Sequence, residues 1–170
     1  IEDLAEMRSS MKSMLGTIGV GSTESVNNGE DALKKLRNNQ YDLVFSDYEL
    51  GRGKDGQQIL EEVRFNNLVK PSSVFIMVTA AQTQDMVMGA LEFEPDGYIA
   101  KPVTLELLKT RLIRIIRTKD IYKNINIALD NNNIEVALNA CNRLAMEKPK
   151  FALPAYRIKG KILINEGRFD

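Results

Sequence analysis

The chain has 170 residues, 44% hydrophobic and 27% charged, with 23 Lys+Arg against 23 Asp+Glu. That length holds one ordinary domain, or one domain and part of another, and the composition is that of a folded, soluble protein. Zero net charge, no histidine and a single cysteine, Cys141, remove four things: a global pull toward nucleic acid or anionic membrane, His-dependent catalysis, His-bound metals, and an internal disulfide. Chemistry must therefore run on carboxylates, hydroxyls, lysine, the backbone and a metal bound by oxygen. The longest run of large apolar side chains, Val74–Val78, is far too short to span a bilayer. No charged-then-apolar leader opens the chain, and no initiating Met is present. The expectation is a piece of a longer cytoplasmic protein.

In chain order, Leu4, Met7, Met11, Met14 and Leu15 recur at helical spacing. Thr23–Val26 is a short strand candidate. Asn28-Gly29 turns the chain into a helix over Glu30–Leu36, with Ala32, Leu33 and Leu36 on one face. Tyr41–Phe45 is a compact apolar strand, followed by a loop with Gly51, Gly53 and Gly56. A helix over Gln57–Arg64, the strand Val74–Val78, a helix over Thr83–Leu91 and a short strand Tyr98–Ala100 follow. Thr104–Ile116 is predicted helical, with Leu105, Leu108, Leu112 and Ile115 facing inward.

This alternation predicts an α/β fold with a parallel sheet covered on both faces. Ligands of such sheets sit at the carboxyl ends of the strands. Glu2, Asp3, Asp47, Thr79 and Lys101 each lie just after an apolar run, so the topology gathers them at one edge. Converging acids repel one another unless a cation sits among them. Hard carboxylate oxygens suit Mg²⁺, and a lysine with a hydroxyl on the same rim suits a phosphoryl group. Gly51-Arg52-Gly53-Lys54 has neither the spacing nor the following Ser or Thr of a nucleotide-binding P-loop.

Glu2-Asp3, Asp42–Asp47, Met77–Ala80 and Ala100–Pro102, in this order at these strand ends, resemble the receiver domain of two-component response regulators over about the first two thirds of the chain. The resemblance implies a flavodoxin-like doubly wound sheet of order 2-1-3-4-5, with Ile1 the last residue of a first strand otherwise missing from the sequence. It also implies that Asp47 accepts a phosphoryl group, with Mg²⁺ held by Asp3, Asp47 and the Glu49 carbonyl and assisted by Glu2. Thr79 would bond the transferred group and Lys101 would pair with it. Tyr98 matches an aromatic position that rotates inward on activation, and Lys101-Pro102 a peptide bond often cis. The loop after Asp47 departs from the family pattern: Leu50-Gly51 replaces the usual Met-Pro, and Asp55-Gly56 comes one residue late.

Singly, each site residue has an ordinary alternative. Asp47 and Thr79 could be caps, Glu2-Asp3 favourable charge at a helix start, Lys101 a solvated side chain and Tyr98 a core aromatic. Only their convergence speaks for a site. Cys141, among Ala137, Leu138 and Leu144, reads as core.

After Ile116 the pattern changes. Arg117–Asp120 reads as a charged bridge, although Thr104 to about Leu129 has no Pro or Gly and so allows the last helix to run into the next with only a brief break; helices over Ile121–Leu129, Ile134–Met146 and Phe151–Ile164 follow. The division falls between residues 1–118 and an all-α segment, 119–170. Ala137, Cys141, Leu144 and Pro149, then Tyr156, Gly160 and Leu163, resemble parts of two tetratricopeptide repeats; the alternative is a plain helical extension. A chain ending inside a repeat leaves Tyr156, Leu163 and Ile164 exposed or covered by a second chain, which would make a homodimer. Arg111, Arg114, Arg117, Lys119 and Lys123 read as a solvated helix face, not a nucleic-acid footprint.

The expected function is a signalling switch. Asp47 takes a phosphoryl group from a histidine kinase or phosphotransfer protein, and the helical tail carries the output to a protein partner. No nucleic-acid or membrane partner is expected, and no turnover chemistry beyond slow dephosphorylation. Two alternatives stand beside it. One is an aspartyl-phosphate-type phosphatase, in which Glu49, two residues after the nucleophile, is the acid/base. The other is a scaffold that is never phosphorylated.

Overall fold

A computed structural model describes residues 1–80 and 93–168; the helix expected over Thr83–Leu91 lies outside them. The chain divides into two compact units, Ile1–Arg117 and Thr118–Asp170.

In the first unit the elements run α1 (Ala5–Thr17), α2 (Gly29–Asn38), β1 (Leu43–Asp47), α3 (Gly56–Phe65), β2 (Val74–Ala80), β3 (Gly97–Lys101) and most of α4 (Leu105–Ile121), whose last residues, from Thr118, belong to the second. The strands form one parallel sheet of order β1-β2-β3, with Asp47 opposite Val78 and Ala80 opposite Lys101. β2 is a continuous apolar run because both its faces are covered. Phe75 and Met77 pack with Leu33 and Leu36 of α2 and Ile59, Leu60 and Val63 of α3. Val74 and Ile76 pack on the other face with Leu15 of α1 and Leu108, Leu112 and Ile115 of α4. Side chains that alternate along a strand thus supply two separate cores.

Local signals hold the helix starts. The Asn28 side chain accepts the Asp31 N–H at 2.8 Å at the start of α2. Asp55 and Gln58 form a reciprocal capping box at the start of α3, with bonds of 2.8 and 3.1 Å. Gly56 then lets α3 touch the end of β1. A Cβ at this position would lie 2.1 Å from the Asp47 carbonyl oxygen and 2.9 Å from Met77 Sδ.

Four expectations need correction. Thr23–Val26 is not a strand. Along this segment the Val26 carbonyl accepts the Glu2 N–H at 3.2 Å, and one such bond does not make a ladder. Ile1 lies against β1, its N–H donating to the Phe45 carbonyl and its carbonyl accepting the Asp47 N–H. A cleft of about 510 Å³, lined by Ile1, Leu15, Val26, Leu36 and Val44 among others, adjoins it. Second, Leu105 is 39% exposed, because it sits in the first turn of α4, before that helix reaches the sheet. Third, Arg117–Asp120 is helical: with no Pro or Gly to stop it, α4 continues to Ile121. Fourth, Leu163, in the second unit, packs against the core of that unit, while Tyr156 and Ile164 are exposed.

The second unit holds α5 (Lys123–Asp130), α6 (Ile134–Glu147), a 3₁₀ turn (Pro149–Phe151) and α7 (Ala152–Asn165). Ile125, Ala128, Ala137, Leu138, Cys141, Leu144, Ala155 and Ile162 form its core. The small residues among them let the helices approach closely. No helix among the described residues is long and apolar enough to cross a membrane.

Two glycines separate steric from entropic effects. Gly56→Ala forces backbone against backbone and is expected to destabilise the first unit by about 3 kcal/mol, the upper range for overpacking. Gly160 lies inside α7 with nothing within 4 Å of an added Cβ, so Gly160→Ala should stabilise by about 0.5–1 kcal/mol. Residue-resolved hydrogen exchange checks both: faster exchange for β1 and β2 amides in the first, slower exchange for α7 amides in the second.

Candidate functional site

Parallel pairing delivers the carboxyl ends of β1, β2 and β3 to one edge, and the bond from Asp47 N–H to the Ile1 carbonyl brings Glu2 and Asp3 to the same place. Glu2, Asp3 and Asp47 each offer a carboxylate oxygen, and these oxygens all lie within 4.8 Å of one another. Asp47 is 3% exposed and Glu2 9%, so water does little to screen them. Lys101 Nζ donates to Asp47 Oδ2 at 2.6 Å and lies 3.4 Å from Glu2 Oε2. The other Asp47 oxygen, Oδ1, accepts the Glu49 N–H at 3.3 Å.

The electrostatics follow from this crowding. Two unit charges about 5 Å apart repel by roughly 3 kcal/mol at an effective dielectric of about 20. One ammonium against three carboxylates leaves negative charge uncompensated. Burial holds the Glu2 carboxyl above the usual glutamate range, and the neighbouring Asp47 charge adds to this. The Leu4 N–H and Lys101 oppose the shift without cancelling it. Burial also works against the charge on Lys101, but Asp47 and Glu2 outweigh it and raise its pKa. All-oxygen donors, two of them buried and Asp3 half-buried, and short of positive charge, fit a hard divalent cation such as Mg²⁺.

Two holding contacts escaped the sequence reading. Arg8, one turn into α1, donates through Nη1 to the carbonyls of Glu2 at 2.8 Å and Asp3 at 2.7 Å. The Gly51 N–H donates to Asp3 Oδ2 at 3.2 Å. An arginine five or six residues after an acidic pair is the only sequence signal for the first, and it becomes meaningful only once a helix begins between them.

The remaining candidates sit differently. Thr79 is 1% exposed at the end of β2, next to Val78, the register partner of Asp47. Its hydroxyl donates to the Ala80 carbonyl at 3.3 Å, and no hydrogen bond joins it to Asp47 or Lys101 among the described residues. Tyr98 is half-buried against the core that α2 and α3 cover. Burial raises its phenol pKa, with Glu94 and Tyr48 contributing. The Lys101-Pro102 peptide bond is cis.

The raised Glu2 pKa gives a pH dependence. An unfolded glutamate releases its proton near 4.5, whereas the folded protein holds it to higher pH. Folded protein therefore binds more protons in the window above 4.5, and stability in the absence of metal falls as pH rises through that window. Glu2→Gln should flatten this limb. Denaturant midpoints in chelator at several pH values above 4.5 check it, and an unchanged slope in the variant counts against the assignment.

The family model for "Response regulator receiver domain" matches residues 1–113. The chain is 30% identical over 115 residues to chemotaxis protein CheY-3 of Vibrio cholerae serotype O1, covering 68% of this chain and 87% of that protein. It is likewise 30% identical over 115 residues to chemotaxis protein CheY of Pseudomonas aeruginosa, covering 68% and 91%. Among solved structures, response regulator protein TrrA of Thermotoga maritima, in complex with Mg(2+)-BeF, is similar with TM-score 0.54 and 26% identity, covering 67% of this chain and 93% of that one. With its covered parallel sheet and its acids and lysine at one edge, the chain belongs to the response regulator receiver domain family.

Proposed function

We propose that the first unit is a phosphoryl-accepting switch with Asp47 as acceptor. The observation that carries this reading is the buried Asp47 carboxylate, held by Lys101 on one oxygen and the Glu49 N–H on the other, with Glu2 and Asp3 beside it. Receiver domains accept phosphoryl groups from histidine kinases or phosphotransfer proteins. These 170 residues contain no histidine, so the donor lies outside them, as a phosphohistidine or a small acyl phosphate. In the transfer, an Asp47 oxygen forms the new bond to phosphorus. The bond from phosphorus to the donor's imidazole nitrogen breaks, and the imidazole keeps the electron pair.

Glu2, Asp3, Asp47 and the Glu49 carbonyl are the proposed Mg²⁺ ligands, and the ion would offset phosphoryl charge. Lys101 follows the negative charge from the free carboxylate to the acyl phosphate. Thr79, at the same strand edge, would exchange its bond to the Ala80 carbonyl for one to a phosphoryl oxygen. Tyr98 would then move with the surface formed by β3 and α4. In the finer fold reading, residues 1–2 lie where the central strand of a 2-1-3-4-5 sheet runs, because Ile1 bonds to β1 and Glu2 to Val26.

The second unit is proposed as a tetratricopeptide-like module that carries the output to a protein partner. The support is its helix pairs packed through small residues, Ala137, Cys141 and Ala155, each fully buried. Tyr156 and Ile164, 52% and 62% exposed, remain available to a further repeat or a second chain.

Incubation with Mg²⁺ and acetyl phosphate, followed by intact-mass measurement, tests the acceptor. Wild type should gain one phosphoryl mass and Asp47→Asn none. Lys101→Met should reduce the rate of labelling by roughly a hundredfold, within the range for removing one electrostatic stabiliser. Absence of labelling in folded wild type would sink the switch, and many turnovers per protein would favour the phosphatase.

A further inference from the structure

Gly51 stands in the loop after Asp47, and nothing in the backbone explains a glycine there. Its φ lies outside the left-handed region, unlike that of Gly53 at +81°. Space explains it. A Cβ at residue 51 would lie 2.8 Å from Asp3 Oδ2 and 3.9 Å from Asp3 Cγ, with no other described atom outside the adjoining residues within 4 Å. The missing side chain therefore makes room for one group, the Asp3 carboxylate. The Gly51 N–H donates to that same Oδ2 at 3.2 Å. Bond and clearance coincide on a single oxygen.

We infer that Gly51 is a positioning residue for the metal site, its N–H holding the Asp3 carboxylate toward Glu2 and Asp47. This rests on the Mg²⁺ reading of the acidic cluster. An oxygen of this same Asp3 carboxylate lies within 4.8 Å of those of Glu2 and Asp47, so the group that the Gly51 N–H holds is already turned into the cluster. Asp3 is only half-buried, and without the hold it would sample rotamers that point to solvent. A proline at this position would have no N–H to donate. Leu50-Gly51 thus supplies a contact to Asp3 that a Met-Pro pair cannot.

Two substitutions separate the parts of the hold. Gly51→Ala keeps the N–H but drives a methyl group into the carboxylate; Gly51→Pro removes the donor as well. The displaced atoms belong to the end of a flexible side chain, so metal-free unfolding midpoints should stay close to wild type. Mg²⁺ affinity, measured by calorimetric titration, should weaken in both by roughly tenfold, the low end for a hydrogen bond to a charged group. In the unmutated protein the Gly51 amide resonance should move during the Mg²⁺ titration together with that of Glu49, a readout that needs no variant to fold. Wild type that binds Mg²⁺ while both variants bind as tightly or more tightly would overturn the role of Gly51 and leave the metal reading standing. A Gly51 amide resonance that stays still while that of Glu49 moves would do the same. Wild type that binds no Mg²⁺ would overturn the metal reading and the role of Gly51 with it.

Discussion

The 2.6 Å contact between Lys101 Nζ and Asp47 Oδ2 joins the last strand of the sheet to the first described one. Much else depends on it. A carboxylate 3% exposed would carry a desolvation cost of several kcal/mol without a partner. Lys101 offsets that cost for Asp47 but not for Glu2 and Asp3 as well. What remains is held by backbone dipoles: the Glu49 N–H on Asp47, the Leu4 N–H on Glu2 and the Gly51 N–H on Asp3. Three neighbouring carboxylates each meet a different main-chain donor. The site is therefore preorganised by the fold, yet still short of positive charge, which is the condition in which a cation or a charge-changing modification has the most effect.

The same economy shows in the loop from Tyr48 to Gly56. The Tyr48 N–H reaches the Val78 carbonyl and the Gly56 N–H reaches the Tyr48 carbonyl, so both ends of the loop are tied to the sheet edge. Between them Leu50 is buried while Glu49 and Gly51 turn their N–H groups toward the acids. Within the loop Gly53 takes φ +81°, a backbone conformation that glycine adopts without steric cost.

The second unit rests on different physics. Its core is built from alanines, one cysteine and medium aliphatics on helices of 8 to 14 residues, lengths at which isolated helices are marginal and packing supplies the stability. Stopping signals set its outline. The Asn133 side chain starts α6 by accepting the Val136 N–H, Pro149 opens the 3₁₀ turn, and Asn132 takes a positive φ at the tight turn between α5 and α6.

Much of this was legible in the sequence where periodicity or chemistry is local. Val74–Val78 reads as a strand, Asn28-Gly29 as the turn into a helix, and acids, hydroxyl and lysine after apolar runs point to one edge. In Thr23–Val26 the local pattern is not enough, because a strand needs a partner in register and the backbone bond found here is the one from the Glu2 N–H to the Val26 carbonyl. Arg117–Asp120 was misread because charge alone does not stop a helix. By itself the sequence determined which residue types could gather at the sheet edge, since strand direction and alternation are short-range properties. Only the tertiary structure decided which oxygen Lys101 takes, that Arg8 reaches back to two carbonyls, and that Gly51 serves Asp3 across 48 residues. Those contacts depend on distances between segments that become neighbours only when the sheet closes.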